Sequence, residues 1–433
     1  MSWSFATEPE FELKLEWMRA FVREQIWPLE TIRSELGWDG LTQAIAPLQE
    51  QVKRERLWAA HLDPELGGEG YGQVKLGLMH EILGTSPIAP LVFGNAAPDS
   101  GNSEILALVG TPEQKERYLG PLLAGDLKSA FSMTEPGTAG SDPTLLAARA
   151  ERRDGGWVLN GRKWFSTNGS IADFLIVMAV TDPEARGHQR ASMFIVDADA
   201  PGVHIVRDVP TMEHPWPSDG EYGNHAEIVY ENVRLSDSAM LGARGAGFVI
   251  AQQRLYPGRI HHCMRWLGLA RRAFDMLCER SLYREAHGGT LSTHQTVQSW
   301  IADSAAEMQA ARLMTLHAAW RIDTEGVLAA RQDIAMIKYF GARVLHDVID
   351  RALQAHGSLG YSTDLPLEGM YRFARAARIY DGPDEVHRAS VARQVLHGYE
   401  PPADGVPTEH VPTRREAARR QFAEYLLAAT AND

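Results

Sequence analysis

The spacing of apolar residues changes twice along this 433-residue chain, and each change marks an architectural boundary. Up to about residue 130, "FELKLEWMRAFVREQ", "LTQAIAPLQEQVKRER" and "TPEQKERYLGPLLAG" carry apolar side chains at the three-to-four spacing of a helix face. The last opens with a full start signal: Thr111 at the cap, Pro112 at the first helical position and Gln114 to return the capping bond. After residue 130 the pattern becomes short β-branched or aromatic runs ("WVLNG", "FLIVMAV", "SMFIVDA", "VHIVRDV", "AEIVYENVRL") separated by Gly, Pro, Asp and Asn. From "GFVIAQQRL" onward helical spacing returns in three long segments and a stretch beyond residue 383. The expected fold class is α+β, mainly α. It has an N-terminal helical domain (1–130), a middle β-barrel-like domain (131–242), a C-terminal four-helix bundle (243–400) and a Pro-rich, then charged extension (401–433).

Composition narrows the partners. The formal charge of −13 argues against nucleic acid and bare anionic membrane as main partners, while leaving room for one anionic ligand in a local basic pocket. No apolar run reaches the length of a membrane span, and "MSWSFATEPEFELKLEW" does not read as a leader peptide. Two cysteines, Cys263 and Cys278, predict a reduced compartment without a disulfide framework. The expected location is cytoplasmic.

Several familiar chemistries find no support. "GARGAG" (242–247) has the wrong spacing for a dinucleotide turn, and no GxxxxGK[ST] phosphate loop is present. In "RIHHC", His261 and His262 are helix neighbours about 100° apart, so they do not form a metal pair; they read as packing or channel residues without assigned chemistry. "AGSDP" lacks the elbow that would make Ser141 a nucleophile. What stands out is "IYDGPDEVHR" (379–388), where Gly382-Pro383 must interrupt a helix and leave Asp381 on the break. On residue type alone, Asp381 is either a turn former or an isolated base.

Four motifs in register, "GTPEQKERYLGPLLAGDLKSAF" (110–131), "FSMTEPGTAGSD" (131–142), "GWVLNGRKWFSTNGS" (156–170) and "LQAHGSLGYSTDLPLEGMYRFARAARIYDGPDEVH" (353–387), closely resemble the acyl-CoA dehydrogenase family. The likeness runs from about residue 40 to 400. With "LYPGRIHHCMR" (255–265), it points to the branch that in animals is fused to a phosphotransferase-like domain and linked to 4-hydroxyacyl-CoA or long acyl-CoA substrates; no kinase-like segment is present here. The resemblance implies an FAD cofactor. It places Phe131, Met133, Thr134 and Ser141 on one side of the flavin, and Phe165, Ser166 and Thr167 on the other, with Phe165 where many members carry Trp. Arg284, Gln295, Gln354, Gly357 and Ser358 correspond to groups that reach a neighbouring subunit's FAD, which implies a homodimer or homotetramer. Pro383, Asp384 and Glu385 correspond to the adenine side, and Ser141, Tyr256 and Arg259 to the thioester and pantetheine channel.

By the same resemblance Asp381 is the catalytic base of an α,β-dehydrogenation, in place of the usual Glu and shorter by one C–C bond, ~1.5 Å. It takes the α-proton while the β-hydrogen leaves as hydride to the flavin, and its own backbone N–H helps to polarise the thioester oxygen. Burial beside an acyl chain is expected to raise its pKa in the ligand complex. The electrons would pass to an electron-transferring flavoprotein, in fatty-acid β-oxidation. Two other readings stand beside this one: a flavin oxidase of nitroalkane or acyl-CoA type on the same fold, and an acyl-CoA-binding scaffold without activity.

Overall fold

The computed structural model describes residues 4–66, 68–217, 220–403 and 405–430. Its contacts divide the chain after Arg388. The larger unit opens with helices: α1 (Pro9–Phe21), α2 (Trp27–Arg54), α3 (Gln73–Leu83), α4 (Ala89–Val92), α5 (Asp99–Val109), α6 (Pro112–Gln114) and α7 (Gly120–Ala124). The capping box at Thr111 forms as the sequence predicts: the Gln114 N–H donates to Thr111 Oγ1 (3.2 Å), and the Thr111 N–H to Gln114 Oε1 (3.1 Å).

Eight strands follow: β1 (Ser129–Ser132), β2 (Arg149–Arg153), β3 (Gly156–Thr167), β4 (Phe174–Val180), β5 (Ala191–Asp197), β6 (Val203–Asp208), β7 (His225–Leu235) and β8 (Met240–Leu241). They form one sheet in the order β6-β7-β3-β2-β4-β5-β8, with β1 pairing to β4. Most pairs are antiparallel; β1–β4 and β2–β4 are parallel. The uninterrupted apolar run "FLIVMAV" is explained by burial on both faces. Phe174, Ile176 and Met178 pack beneath Ile105, Leu106 and Ile250, while Leu175 and Val177 pack with Leu159, Phe194 and Ile228.

The remaining helices of this unit are α8 (Gly247–Tyr283), α9 (Gln295–Glu325), α10 (Arg331–His356), α11 (Ser358–Tyr361) and α12 (Leu367–Ala377). Next comes α13 (Asp384–Leu396), which begins in this unit. The 37-residue α8 runs unbroken through Pro257. Its apolar face (Ile260, Met264, Leu267) meets α3 and α10 in one core with Met79, Ile334, Ile337 and Leu345. The α3–α8 crossing is closed by a glycine: a Cβ on Gly268 would lie 2.0 Å from the Glu81 carbonyl oxygen. The Pro-rich, then charged extension forms two helices, α14 (Val411–Gln421) and α15 (Ala423–Thr430). Among the described residues no helix is long and apolar enough to cross a membrane.

Candidate active site

Between α12 and α13 the backbone turns through two successive left-handed residues, Asp381 (φ 54) and Gly382 (φ 100). Such a conformation is strained for any residue with a Cβ. At Gly382 the need for glycine is also steric, since a Cβ would lie 2.7 Å from His387 Nε2. Buried donors hold the turn. Arg259, only 7% exposed, donates through Nε (3.2 Å) and Nη2 (3.0 Å) to the Asp381 carbonyl oxygen. His387 Nε2 lies 3.1 Å from the same oxygen; burial pulls its pKa down to about 4, so the neutral ring is the donor. Lys338, fully buried under Trp266 and Tyr380, donates to the carbonyls of Ala377 (2.7 Å) and Gly382 (3.3 Å). The Asp381 backbone N–H, by contrast, has no acceptor among the described residues.

The Asp381 carboxylate is half-buried, with Oδ2 3.2 Å from His262 Nε2. Burial is the strongest influence on its pKa and pushes upward. His262, Arg259 and Arg254 together outweigh it, and the group sits below the usual carboxylate range. Asp381 is therefore ionised at neutral pH. Arg254 donates to Asn102 Oδ1 (3.1 Å), and its guanidinium lies 4.4 Å from the centre of the Phe131 ring. It thus links the end of β1 to the surroundings of Asp381. Tyr256 lies beneath the Arg259 guanidinium at 5.6 Å. Arg254, His262 and Lys338 were not singled out from sequence as site residues. Their signal was available as cationic or titratable side chains along the apolar segments of α8 and α10.

The segment after β1 is pinned to β3. Lys163, fully buried, donates to the Met133 carbonyl (2.9 Å) and to Glu135 Oε1 (2.8 Å). Glu135 in turn accepts the N–H groups of Ala147 (2.7 Å) and Ala148 (2.9 Å). The Trp164 N–H donates to the Thr134 carbonyl (3.0 Å). Phe165 is left-handed (φ 51) and 43% exposed, an apolar ring turned to solvent at a strained position. Thr167 Oγ1 lies 3.0 Å from His225 Nδ1. The Ser166 hydroxyl points the other way: it is fully buried and donates to Ser132 Oγ (3.0 Å), which also receives the Tyr230 hydroxyl (2.9 Å). Ser141 is exposed on the loop.

These residues fit a flavin. Phe131, Met133 and Phe165 supply apolar faces, and Trp164 Nε1 is a buried donor without a partner among the described residues. Thr134 is half-buried beside them. Beyond the break, Pro383 is half-buried and Glu385 exposed, whereas Asp384 turns inward. Its Oδ2 accepts from Arg378 Nε (2.8 Å), leaving Oδ1 buried and unpartnered.

The second expected set is not brought to this place. Arg284 caps the far end of α8, about seven turns or roughly 37 Å beyond Arg259. Gln295 begins α9; Gln354, Gly357 and Ser358 form the end of α10 and the turn into α11. The bonds from Arg351 to Ser304 Oγ (3.0 Å) and Glu307 (2.8 Å) lay the end of α10 along the first half of α9, so the five residues share one end of the bundle. All five are exposed.

The chain matches the acyl-CoA dehydrogenase N-terminal domain over residues 8–126, the middle domain over 130–233 and the C-terminal domain over 245–396. It is 45% identical over 355 residues to the "Probable acyl-CoA dehydrogenase FadE2" of Mycobacterium tuberculosis, covering 81% of this chain and 85% of that protein. To the mouse "Acyl-CoA dehydrogenase family member 11" it is 39% identical over 391 residues, 88% of this chain but 49% of that protein; the chain spans about half the length of this relative. The solved "Structure of a putative acyl-CoA dehydrogenase from Mycobacterium abscessus" superposes with a TM-score of 0.85 at 38% identity, covering 91% of this chain and all of that one (100%). The chain is a member of the acyl-CoA dehydrogenase family, flavoenzymes whose cofactor is FAD.

Proposed function

We propose that this enzyme converts an acyl-CoA thioester to the trans-2-enoyl-CoA, with Asp381 removing the α-proton. The observation that carries the reading is an ionised carboxylate on a pinned helix break, beside a backbone N–H that has no acceptor among the described residues. Asp381 takes the proton onto its carboxylate, and the Asp381 N–H donates to the thioester oxygen, where negative charge develops. When bound, FAD supplies the hydride acceptor for the β-hydrogen. Phe131, Met133, Thr134 and Ser141 hold one side of it, and Phe165, Ser166 and Thr167 the other. Since the Ser166 hydroxyl is committed to Ser132, its contact would be through the backbone. Tyr256 and Arg259 line the channel; Arg259 also fixes the turn that carries the base.

Arg284, Gln295, Gln354, Gly357 and Ser358 then serve the FAD of a neighbouring subunit in a homodimer or homotetramer. Their exposure at one bundle end, far from Asp381, supports this reading. Pro383, Asp384 and Glu385 flank the adenine side, Asp384 through its unpartnered Oδ1 or its backbone. Residues 1–130, 131–242 and 243–400 act as the three domains, with 401–433 an extension. An electron-transferring flavoprotein accepts the electrons, within fatty-acid β-oxidation in the cytoplasm.

Anaerobic addition of straight-chain and 4-hydroxy acyl-CoA thioesters should bleach the wild-type flavin. Asp381→Asn should stay yellow, bind enoyl-CoA and fail to bleach; bleaching at the wild-type rate would remove Asp381 from the chemistry. The Asp base also suits a nitroalkane-type oxidase. Bleaching by nitroalkanes alone, or rapid reoxidation by oxygen with peroxide release, would favour that reading instead.

A further inference from the structure

His262 stands between two groups that together fix its state. Arg265 Nη2 lies 3.2 Å from His262 Nδ1, and the guanidinium, always a donor, requires a lone pair there. The proton is therefore on Nε2, the atom 3.2 Å from Asp381 Oδ2. Arg265 is itself anchored, through Nη1, to the Asn95 carbonyl (3.2 Å). The imidazole packs beside Tyr380 (5.2 Å between ring centres) and Trp266 (6.2 Å), whose indole N–H donates to the Tyr380 hydroxyl (2.9 Å). Arg265 thus donates both to Asn95 and to His262, and His262 in turn donates to one oxygen of the Asp381 carboxylate. The other oxygen, Oδ1, has no hydrogen-bond partner among the described residues.

We propose that His262 is the positioning residue for the catalytic base: as the Nε2–H tautomer it holds Asp381 Oδ2, so that Oδ1 is aimed. This rests on the reading of Asp381 as the base. It answers a question raised by the shorter side chain: an aspartate that must meet the α-carbon from a fixed turn needs its rotamer set from outside, and α8 does that from across the break. The bond also opposes burial. An acyl chain that displaces water would drive the carboxylate toward its neutral form, and a donor on Oδ2 favours the anion.

Other charged and titratable groups face the same carboxylate, and their contributions are common to every variant below. They are Arg254, Arg259, Cys263 and Arg265 from α8, Lys338 from α10, and Tyr380 and His387 from the break and the start of α13. Asp384 on α13 and Glu104 on α5 act at one remove, interacting with Lys338 and Arg254. Burial pulls the His262 pKa down, while its bond to Asp381 opposes that shift.

The test resolves kcat and KM for anaerobic flavin reduction by acyl-CoA in the holoenzyme at about pH 7. His262→Phe should lose about tenfold or more in kcat, with the KM for acyl-CoA little changed. His262→Gln, whose amide can reach the place of Nε2, should keep the wild-type kcat, whereas the shorter His262→Asn should behave like the Phe variant. The Gln–Asn pair decides the matter even where Phe fails to load FAD. Equal kcat values for Gln and Asn, or a Phe variant with the wild-type kcat, would overturn the proposal. If Asp381→Asn is inactive while the His262 variants match wild type, this inference alone fails; if Asp381→Asn is active, the underlying reading fails.

Discussion

Replacing Lys338 with Met asks how firmly the break is held. The ammonium donates at 2.7 Å to the Ala377 carbonyl and, more weakly, at 3.3 Å to that of Gly382. Methionine preserves most of the length and the packing against Trp266 and Tyr380, but supplies neither bond. A hydrogen bond from a charged donor contributes about 1.5–3 kcal/mol, and a stranded buried carbonyl costs about 1–3 kcal/mol. Part of this is offset, because burial already holds the Lys338 pKa below the ordinary lysine value and its removal relieves that desolvation. A net loss of about 2 kcal/mol follows. The left-handed Asp381 at φ 54 carries strain of about 1–3 kcal/mol, so the hold and the strain are comparable. Losing about 2 kcal/mol would lower the population of the productive turn roughly thirtyfold. The assay is anaerobic stopped-flow bleaching of the flavin at saturating acyl-CoA. It should slow by about ten- to thirtyfold while FAD is retained, and a rate within about twofold of wild type would refute the idea that Lys338 maintains the turn.

Gly382→Ala combines a φ of 100 with a Cβ 2.7 Å from His387 Nε2; single-turnover bleaching should fall by about tenfold or more, with normal FAD content. Arg284→Ala should weaken FAD retention by about tenfold and reduce the oligomer mass, read by dialysis and light scattering; FAD held at wild-type strength would reject its place at a shared site. Acid stability should be set largely by buried histidines. Burial pulls His61, His225 and His387 from 6.5 to about 4, and His80 and His261 well below 6.5. The unfolded chain therefore binds more protons than the folded one between about pH 6.5 and 4, and stability must fall as pH is lowered through that window. Glu104 acts in the opposite sense, since burial raises it to about 8 and its folded-state contribution weakens as pH rises from 4.5. A melting temperature that rises on acidification from pH 6.5 to 5 would contradict this balance.

Local patterns made the architecture legible. The period changes near residues 130 and 247 reflect which faces must be buried, and β4 reads as continuously apolar because both its faces are covered. The Thr111–Gln114 cap was equally readable because all its partners lie within one turn. Gly382-Pro383 announced the break, since no tertiary contact can restore the missing amide at Pro383. The sequence does not announce what the break meets. His262 acquires its partner only because α8 passes beside α12, and its tautomer depends on Arg265 one turn along the helix. Ser166 looked like its neighbours in "WFST", yet the strand pleat and its bond to Ser132 turn its hydroxyl inward. Asp384 likewise turns to Arg378, a pairing fixed by the turn geometry rather than by composition.

The central claim is proton removal by Asp381, and it can be isolated from hydride transfer. The holoenzyme is incubated in D₂O with a 3-thiaacyl-CoA, which carries an acidic α-proton but cannot complete the oxidation, and deuterium at the α-carbon is followed by mass spectrometry. Wild type should incorporate the label, while Asp381→Asn, still loaded with FAD and still binding the thioester, should not. Incorporation by that variant at the wild-type rate would contradict the account.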